Sequence, residues 1–291
     1  MLGEISIIMA AFCWALGASL YKKAIRDMNP LKFNLFRSIS VIIFAFLILL
    51  LLGKWRLLFE LDLVSLALIG VASLLVLVAG DTFYFVGLRS IGVAKTVPIA
   101  YSYSIIVILL SSFFLEEAIT SSIVFGTIAI IFGVWLVSEK AVDQGSKVGF
   151  SKVGVLACLG ASICWACGIV LYKIILVKND PFILAAVRIL FLFPTLGILL
   201  AVPLRKKSPS IQWTKSRIFL VFLSGLIGLG IGDTLLCFGL DSTNTNIAAP
   251  LSSITPIFSA IIAMLYLREA VTKKVFVGTL LVSAGTMFLL M

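Results

Sequence analysis

The chain has 291 residues, of which 62% are hydrophobic and only 12% are charged, and its formal net charge is +10 at pH 7. Soluble domains average about 45–50% apolar and about 25% charged residues, so this composition excludes a soluble globular protein and predicts an integral membrane protein. Histidine is absent, which excludes His-based catalysis, His metal ligation and His proton relays.

The basic residues lie in short gaps between apolar runs. This placement is typical of membrane topology signals, so we expect the lipid bilayer, and no nucleic acid, as the partner of the positive charge. The five cysteines also lie in apolar runs, and Cys164 and Cys167 form a C-x-x-C pair. Within a membrane helix we interpret them as small buried hydrophobic residues. We therefore expect no metal and no cofactor.

A helix needs about 20 apolar residues to cross the hydrocarbon core of a bilayer. Taken in chain order between charged or turn-rich breaks, such runs predict ten transmembrane helices, here called spans 1 to 10. They cover residues 3–22, 33–52, 63–88, 93–115, 120–138, 153–177, 182–204, 217–240, 246–267 and 274–291. The loops between them are short, so no domain outside the membrane is expected.

The second half of the chain repeats the first. The segment "CWALGASLYK" at 13–22 matches "CWACGIVLYK" at 164–173, and "GDT" at 80–82 matches "GDT" at 232–234. The register holds over five spans, which predicts an all-helical protein built from two five-helix repeats. We assign the repeats to residues 1–138 and 153–291, with a linker at 139–152. Because five is odd, the second repeat is inverted in the membrane, a plan typical of carriers that work by alternating access.

Lysine and arginine near the span ends predict the orientation. Seventeen of them lie in the loops after spans 1, 3, 5, 7 and 9, and four lie on the other side. Positive loops face the cytoplasm. We therefore expect a multi-pass protein of the cytoplasmic (inner) membrane with both termini outside. The sequence leaves open whether it is a monomer or a homodimer.

The order of several motifs identifies a family resemblance. Span 1 carries Trp and Lys, span 4 carries Pro, and "LEEAIT" and "LREAVT" precede the glycine-containing spans 5 and 10, "FGTIAIIFGVWL" and "VGTLLVSAGTMFL". In this order the chain resembles the EamA-domain branch of the drug/metabolite transporter superfamily, with two EamA repeats covering nearly the whole chain. The resemblance implies a ten-helix carrier of a small organic solute, such as an amino acid or metabolite, and often proton-driven export.

Four charged residues stand out deep within predicted spans, where a charge costs about 2.5–3.5 kcal/mol unless it faces a cavity or a partner. They are Arg37, Asp81, Arg188 and Asp233. Their depths predict two clusters that act as symmetric gates, in which protonation of the aspartate releases the pair. The cluster at the cytoplasmic mouth is Lys22, Arg37 and Asp81, and the cluster at the outer mouth is Lys173, Arg188 and Asp233. The alternative is static ion pairs between helices, with both lysines reaching to the membrane interface.

Spans 4 and 9 each carry a proline near hydroxyl side chains, in "TVPIAYSYS" and "APLSSITPIFS". Proline frees a backbone carbonyl, which a cavity or a hydroxyl can satisfy in a bilayer. Trp14 and Trp165 lie halfway along spans 1 and 6 and are expected to face each other, whereas Tyr21 and Tyr172 are expected at the interface. The predicted substrate pathway is Trp14, Trp165, Pro98, Tyr101, Tyr103, Ser104, Pro250, Ser252, Ser253 and Thr255. Structural kinks and core packing are the alternative.

Three other functions compete with a carrier: an uncoupled channel or facilitator, a scaffold without transport, and an intramembrane aspartyl enzyme. The enzyme would need Asp81 and Asp233 close together. The inverted repeat predicts that they lie toward opposite faces, so we expect no enzyme. A channel would differ from a carrier in showing neither saturation nor counterflow.

Overall fold

The computed structural model describes residues 1–24, 28–91, 96, 99–139, 151–201, 213–258, 261–262 and 273–290. All regular secondary structure in these ranges is helical, and they contain no strand. The predicted all-helical fold class is therefore confirmed.

The first half of the chain opens with two long helices and then a helix that is interrupted. Asn29 caps the second helix through the backbone N–H of Leu31, and Asp62 caps the third through that of Ser65. The hydrogen bond from the backbone N–H of Ser65 holds the pKa of Asp62 below its usual value, because it stabilises the charged carboxylate. The elements are α1 (Leu2–Ala24), α2 (Pro30–Leu51), a 3-10 turn (Lys54–Phe59), α3 (Leu63–Ser73), a first π segment (Leu74–Gly80), α4 (Asp81–Ile91), α5 (Tyr103–Phe114) and α6 (Ser121–Glu139).

The second half has the same order of elements. Again a long helix is followed by a helix that begins at a proline and by one that is interrupted by π-helical winding just before an aspartate. Ser151 and Thr214 supply side-chain caps for the first and third of these helices. The elements are α7 (Lys152–Leu176), α8 (Pro181–Ala201), α9 (Lys215–Ser224), a second π segment (Gly225–Gly232), α10 (Asp233–Ser242), α11 (Thr245–Ser252) and α12 (Lys273–Leu290).

Within the described ranges, five helical stretches are long and apolar enough to cross a membrane, namely Pro30–Leu51, Leu63–Ile91, Lys152–Leu176, Pro181–Ala201 and Lys215–Ser242. Shorter apolar stretches at Leu2–Ala18, Ile99–Phe114, Ser121–Leu136 and Leu280–Leu290 coincide with predicted spans 1, 4, 5 and 10. Span 9 includes residues outside the described ranges, so the total of ten helices stays a prediction.

The molecule exposes apolar side chains and buries charged ones, as expected of a protein that lies in lipid. On α6, for example, Phe125, Phe132 and Trp135 are exposed, whereas Arg37 and Arg188 are buried. This distribution, with the helix lengths, identifies a multi-pass integral membrane protein.

Glycines allow the last helices of the two halves to pack closely. A Cβ added to Gly126 would lie 2.9 Å from the backbone oxygen of Gly285, and one added to Gly133 would lie 2.6 Å from that of Gly278. Such close backbone approach is typical of small-residue contacts between membrane helices. Elsewhere α1 packs on α10 and the second π segment, while α7 packs on α4 and the first. The two halves are therefore interleaved.

Candidate functional site

A central cavity of about 100 Å³ lies between the two halves. That volume suits several water molecules or part of a small organic solute. The wall combines aromatic rings with two arginines and two aspartates, and it draws side chains from both halves. Its polar and aromatic lining is Trp14, Tyr21, Arg37, Asp81, Tyr84, Phe85, Tyr101, Tyr103, Trp165, Arg188 and Asp233.

Arg37 and Asp81 form an ion pair from α2 to the start of α4. Arg37 is only 3% exposed, and each of its three guanidinium nitrogens has a partner. Nη2 donates to Asp81, Nη1 donates to the hydroxyl of Tyr21 over 2.9 Å, and Nε donates to Oδ1 of Asn34 over 2.9 Å. Asn34 in turn donates to the carbonyl of Leu77 in the first π segment, over 2.8 Å. This buried network is fully satisfied.

Arg188 and Asp233 form the matching ion pair in the second half, with Nη2 2.7 Å from Oδ2. The guanidinium lies over the ring of Tyr172, 5.5 Å from its centroid. Here the surroundings differ, because Nε and Nη1 of Arg188 have no hydrogen-bond partner in the structure as described. Position 185, which corresponds to Asn34 in the repeat, is alanine.

Two tryptophans connect the ion pairs across the halves. Nε1 of Trp14 donates to Oδ1 of Asp233 over 2.6 Å, and Nε1 of Trp165 donates to Oδ1 of Asp81 over 3.1 Å. Each aspartate thus receives an arginine from its own half and a tryptophan from the other half. The indole N–H groups obtain the partner that a buried tryptophan requires.

The glycine of each "GDT" motif makes room for these tryptophans. A Cβ on Gly80 would lie 2.7 Å from Cδ1 of Trp165, and one on Gly232 would lie 3.0 Å from Cδ1 of Trp14. The motif therefore has a physical basis, since the glycine admits the ring and the next residue accepts its hydrogen bond.

The hydroxyls of spans 4 and 9 connect helices behind the cavity. The hydroxyls of Tyr103 and Ser252 are hydrogen-bonded to each other, and Ser253 Oγ donates to the carbonyl of Tyr101 over 3.1 Å. Tyr101 and Tyr103 line the cavity wall, whereas the other described members of the predicted pathway on these spans are buried outside it. Those members are Ser104, Pro250, Ser252, Ser253 and Thr255. Pro98 lies outside the described residues.

Three expectations about placement are wrong. The two ion pairs do not separate to opposite mouths, because both line one cavity. Lys173 does not join Arg188 and Asp233: its Nζ donates to the carbonyls of Leu240 and Thr243 at the end of α10, over 2.6 and 3.0 Å. The side chain of Lys22 lies outside the described part of the chain.

Tyr21 and Tyr172 are the third case, because they are not interface aromatics. Tyr21 is 8% exposed and Tyr172 is fully buried, each beside the arginine of its own half. The sequence feature that could have indicated this role is their recurrence at matched positions of the two repeats, one residue before a lysine. Asn34 and Tyr84 were also missed. A lone amide within the apolar run of span 2 indicates Asn34, but no sequence feature distinguishes Tyr84 from other aromatic residues.

Glu117, in the loop between α5 and α6, caps a helix of the other half. Its carboxylate accepts hydrogen bonds from the backbone N–H groups of Thr245 and Asn246 over 2.7 and 2.8 Å. Asn246 returns one to the carbonyl of Ala118 over 2.9 Å. The loop before α6 thereby fixes the start of α11, as acidic groups do at helix N-termini.

An amphipathic, charge-bearing cavity enclosed by apolar helices defines a class, that of membrane proteins which bind a small polar solute within the bilayer. The described residues offer no group of three or more metal-ligating side chains.

The model of the EamA-like transporter family matches residues 1–139 and 152–291, so the chain belongs to that family. An uncharacterized transporter of Archaeoglobus fulgidus is 25% identical over 292 residues, covering 100% of this chain and 99% of the relative. A probable amino-acid metabolite efflux pump of Escherichia coli is 28% identical over 188 residues, 61% of this chain and 60% of its own. The uncharacterized transporter YoaV of Bacillus subtilis is 23% identical over 288 residues, 98% of this chain and 94% of its own.

A solved crystal structure matches with a TM-score of 0.82 over 98% of this chain and 95% of that chain, at 16% identity, which shows a shared fold. The family and the named relatives make this protein a membrane transporter with a small-molecule substrate. They also confirm the expectation that it is not an enzyme.

Proposed function

We propose that this transporter is a secondary carrier that exports a small organic solute, such as an amino acid or metabolite, by alternating access. The observation that supports it best is the cavity wall, in which each aspartate is bonded to an arginine of its own half and a tryptophan of the other. A change in these few bonds alters how the halves meet around the solute. The name of the Escherichia coli relative, a probable amino-acid metabolite efflux pump, supports the solute class and the direction.

The proposal includes the predicted organisation of the chain. Residues 1–138 and 153–291 act as two inverted repeats joined by the linker 139–152. The positively charged loops face the cytoplasm, and both termini lie outside the cytoplasmic membrane. Exchange of conformations between the repeats then opens the cavity to each side in turn.

We further propose that protons drive export through Asp81 and Asp233. The carboxylate of Asp81 accepts hydrogen bonds from Arg37 and Trp165. The carboxylate of Asp233 accepts one from Trp14 and forms an ion pair with Arg188. Protonation removes the charge that holds both partners, so one event loosens a contact within a half and a contact between halves. Lys22 and Pro98 stay candidates for the gate and for the pathway.

The test is solute counterflow by the purified protein in proteoliposomes, with and without a pH gradient. Asp81→Asn and Asp233→Asn keep the shape of the side chain but cannot carry its charge. Asp241→Asn, at the exposed C-terminal end of α10, is the matched control. We expect counterflow of an identified solute in the unmodified protein and loss of its pH dependence in the two cavity variants. Unchanged pH dependence in both would refute proton coupling through these carboxylates.

Counterflow also separates the carrier from the uncoupled channel or facilitator. A channel passes solute down its gradient without accelerating exchange across a preloaded vesicle, and its flux does not saturate at low concentration. Flux without counterflow would therefore show that the protein is a channel or facilitator and not a carrier.

A further inference from the structure

We propose that Arg188 is the anion-binding residue of the cavity and that the transported solute carries a carboxylate. This inference rests on the proposed function, since it names the chemistry of the solute that the cavity holds. It comes from a difference between the two ion pairs, which otherwise correspond residue for residue.

The difference lies in how many guanidinium donors are already occupied. Around Arg37 the hydroxyl of Tyr21, the amide oxygen of Asn34 and the carboxylate of Asp81 accept from all three nitrogens. Around Arg188, Asp233 forms an ion pair at Nη2, and the hydroxyl of Tyr172 lies nearby without a well-formed hydrogen bond. The position equivalent to Asn34 is Ala185, which has no acceptor to offer.

Unoccupied donors on a buried arginine require an explanation. The side chain of Arg188 is 1% exposed, and its Nε and Nη1 lack hydrogen-bond partners in the described structure, as does the hydroxyl of Tyr172 beside it. Native proteins leave few buried polar groups unpaired, and those that remain commonly mark a bound water, an ion or a functional role. Because Arg188 lines the cavity, a group held there is within its reach.

A carboxylate fits these donors better than a neutral group does. Guanidinium donors match the spacing of two carboxylate oxygens, and the charged hydrogen bond is stronger than a neutral one. Asp233 stays held by Trp14 during binding, so the solute joins the site without displacing that carboxylate. The rings of Trp14, Tyr101 and Trp165 offer an apolar wall for the rest of the solute.

The experiment measures binding to the purified full chain by quenching of tryptophan fluorescence, because Trp14 and Trp165 line the cavity. The probes are pairs that differ only in a carboxylate or an amide: phenylacetate and phenylacetamide, phenylalanine and phenylalaninamide, butyrate and butyramide. We expect at least one acid to bind about tenfold more tightly than its amide. If no acid binds, or if every acid and amide bind alike, the proposal is overturned.

Variants at two positions assign the effect. Arg188→Gln should abolish the preference for the acid, and Arg188→Lys should restore part of it. Ala185→Asn places beside Arg188 the acceptor that Asn34 provides for Arg37, so it should weaken acid binding while the charge of Arg188 is kept. Ala185→Val is the matched control of similar size without an acceptor, and it should keep the preference. An unchanged preference in Arg188→Gln would refute the assignment.

Folding is checked independently by gel filtration and by thermal unfolding of each variant. The binding measurement does not depend on transport. If acids bind through Arg188 but the protein shows no counterflow, the carrier function is refuted and the anion site stands. If the protein shows counterflow of a solute but no preference for acids over amides, the anion site is refuted and the carrier function stands.

Discussion

The hydroxyls of Tyr21 and Tyr172 lie beside the two buried arginines but have different contacts. The hydroxyl of Tyr21 accepts a hydrogen bond from Nη1 of Arg37 over 2.9 Å. The hydroxyl of Tyr172 has no partner in the described structure. Removal of one partner leaves a buried charged donor unsatisfied, whereas removal of an unpaired hydroxyl leaves every hydrogen bond in place.

We therefore predict that Tyr21→Phe lowers the free energy of unfolding by about 1–3 kcal/mol. Tyr172→Phe should cost less than Tyr21→Phe, about 0.5 kcal/mol or less, since only a poorly formed contact with Arg188 is lost. The measurement is unfolding by denaturant titration in detergent micelles, with the two variants as each other's control. Equal losses would contradict the difference between the two arginine environments.

At this scale the sequence predicts which arginine and aspartate group together within each half, but not the tryptophans of the opposite half that bond to the aspartates. Arg37, Asp81, Arg188 and Asp233 stand out because a charge in an apolar run needs a reason. The bonds from Trp14 and Trp165 to the aspartates of the opposite halves join residues 219 and 84 positions apart. Such long-range contacts depend on how the helices pack, which periodicity does not determine.

Among the elements, α6 and α12 are held together by backbone contact. Gly133 approaches the carbonyl of Gly278 so closely that an added Cβ would lie 2.6 Å from it. In α8, by contrast, a Cβ on Gly197 would meet no atom within 4 Å. The two glycines therefore differ in what they permit, although both lie in apolar helices.

We predict that Gly133→Ala destabilises the protein by about 1–3 kcal/mol, because the new methyl group forces the two helices apart. Gly197→Ala should be neutral or slightly stabilising, because alanine favours helix and the space is open. Thermal unfolding in detergent measures both. Equal midpoints for the two variants would show that α6 and α12 can separate without penalty.

Helix limits follow well from the sequence, and helix partners follow poorly. Span 5 was expected at 120–138 and α6 covers Ser121–Glu139; span 6 was expected at 153–177 and α7 covers Lys152–Leu176. Apolar run length and end charges determine these limits. The cap that Glu117 provides for α11 could not be predicted, because the sequence does not indicate which helix N-terminus a carboxylate in a loop will contact.

Considered whole, the molecule is two interleaved halves connected by polar contacts as well as by packing. The bonds of Trp14 to Asp233, Trp165 to Asp81 and Glu117 to Thr245 all cross between halves. Lys54 and Asp180, both half-buried, form a further ion pair between halves at 2.5 Å. The covalent linker is therefore only one of several connections between the two halves.

We predict that fragments 1–145 and 146–291, expressed together as separate chains, assemble and bind the same solute as the intact protein. The break falls in the predicted linker, and the contacts between halves supply the association. Copurification through a tag on one fragment measures assembly, with each fragment expressed alone as the control. Recovery of the tagged half without its partner would show that the linker is required.

At the level of the whole molecule, the main error concerned the depth of the two aspartates in the membrane. Residue counts along each span placed Asp81 and Asp233 toward opposite faces, yet both line one cavity. Such counts assume straight helices with uniform rise. Spans 3 and 8 each contain a π segment before the aspartate, and a sequence gives no direct sign of that winding.

The two π segments provide a way to break the contacts of the aspartate that follows each of them. Wider winding accommodates one residue more than α-helical turns would over the same stretch. Each residue of an α-helix advances the chain by about 100° around the axis. If the stretch Leu74–Gly80 rewound as α-helix, Asp81 would rotate by about that angle around the helix axis. Its contacts with Arg37 and with Trp165 would then break at the same time. A slip of one residue inside a single helix would thus uncouple the carboxylate while the surrounding bundle stayed in place.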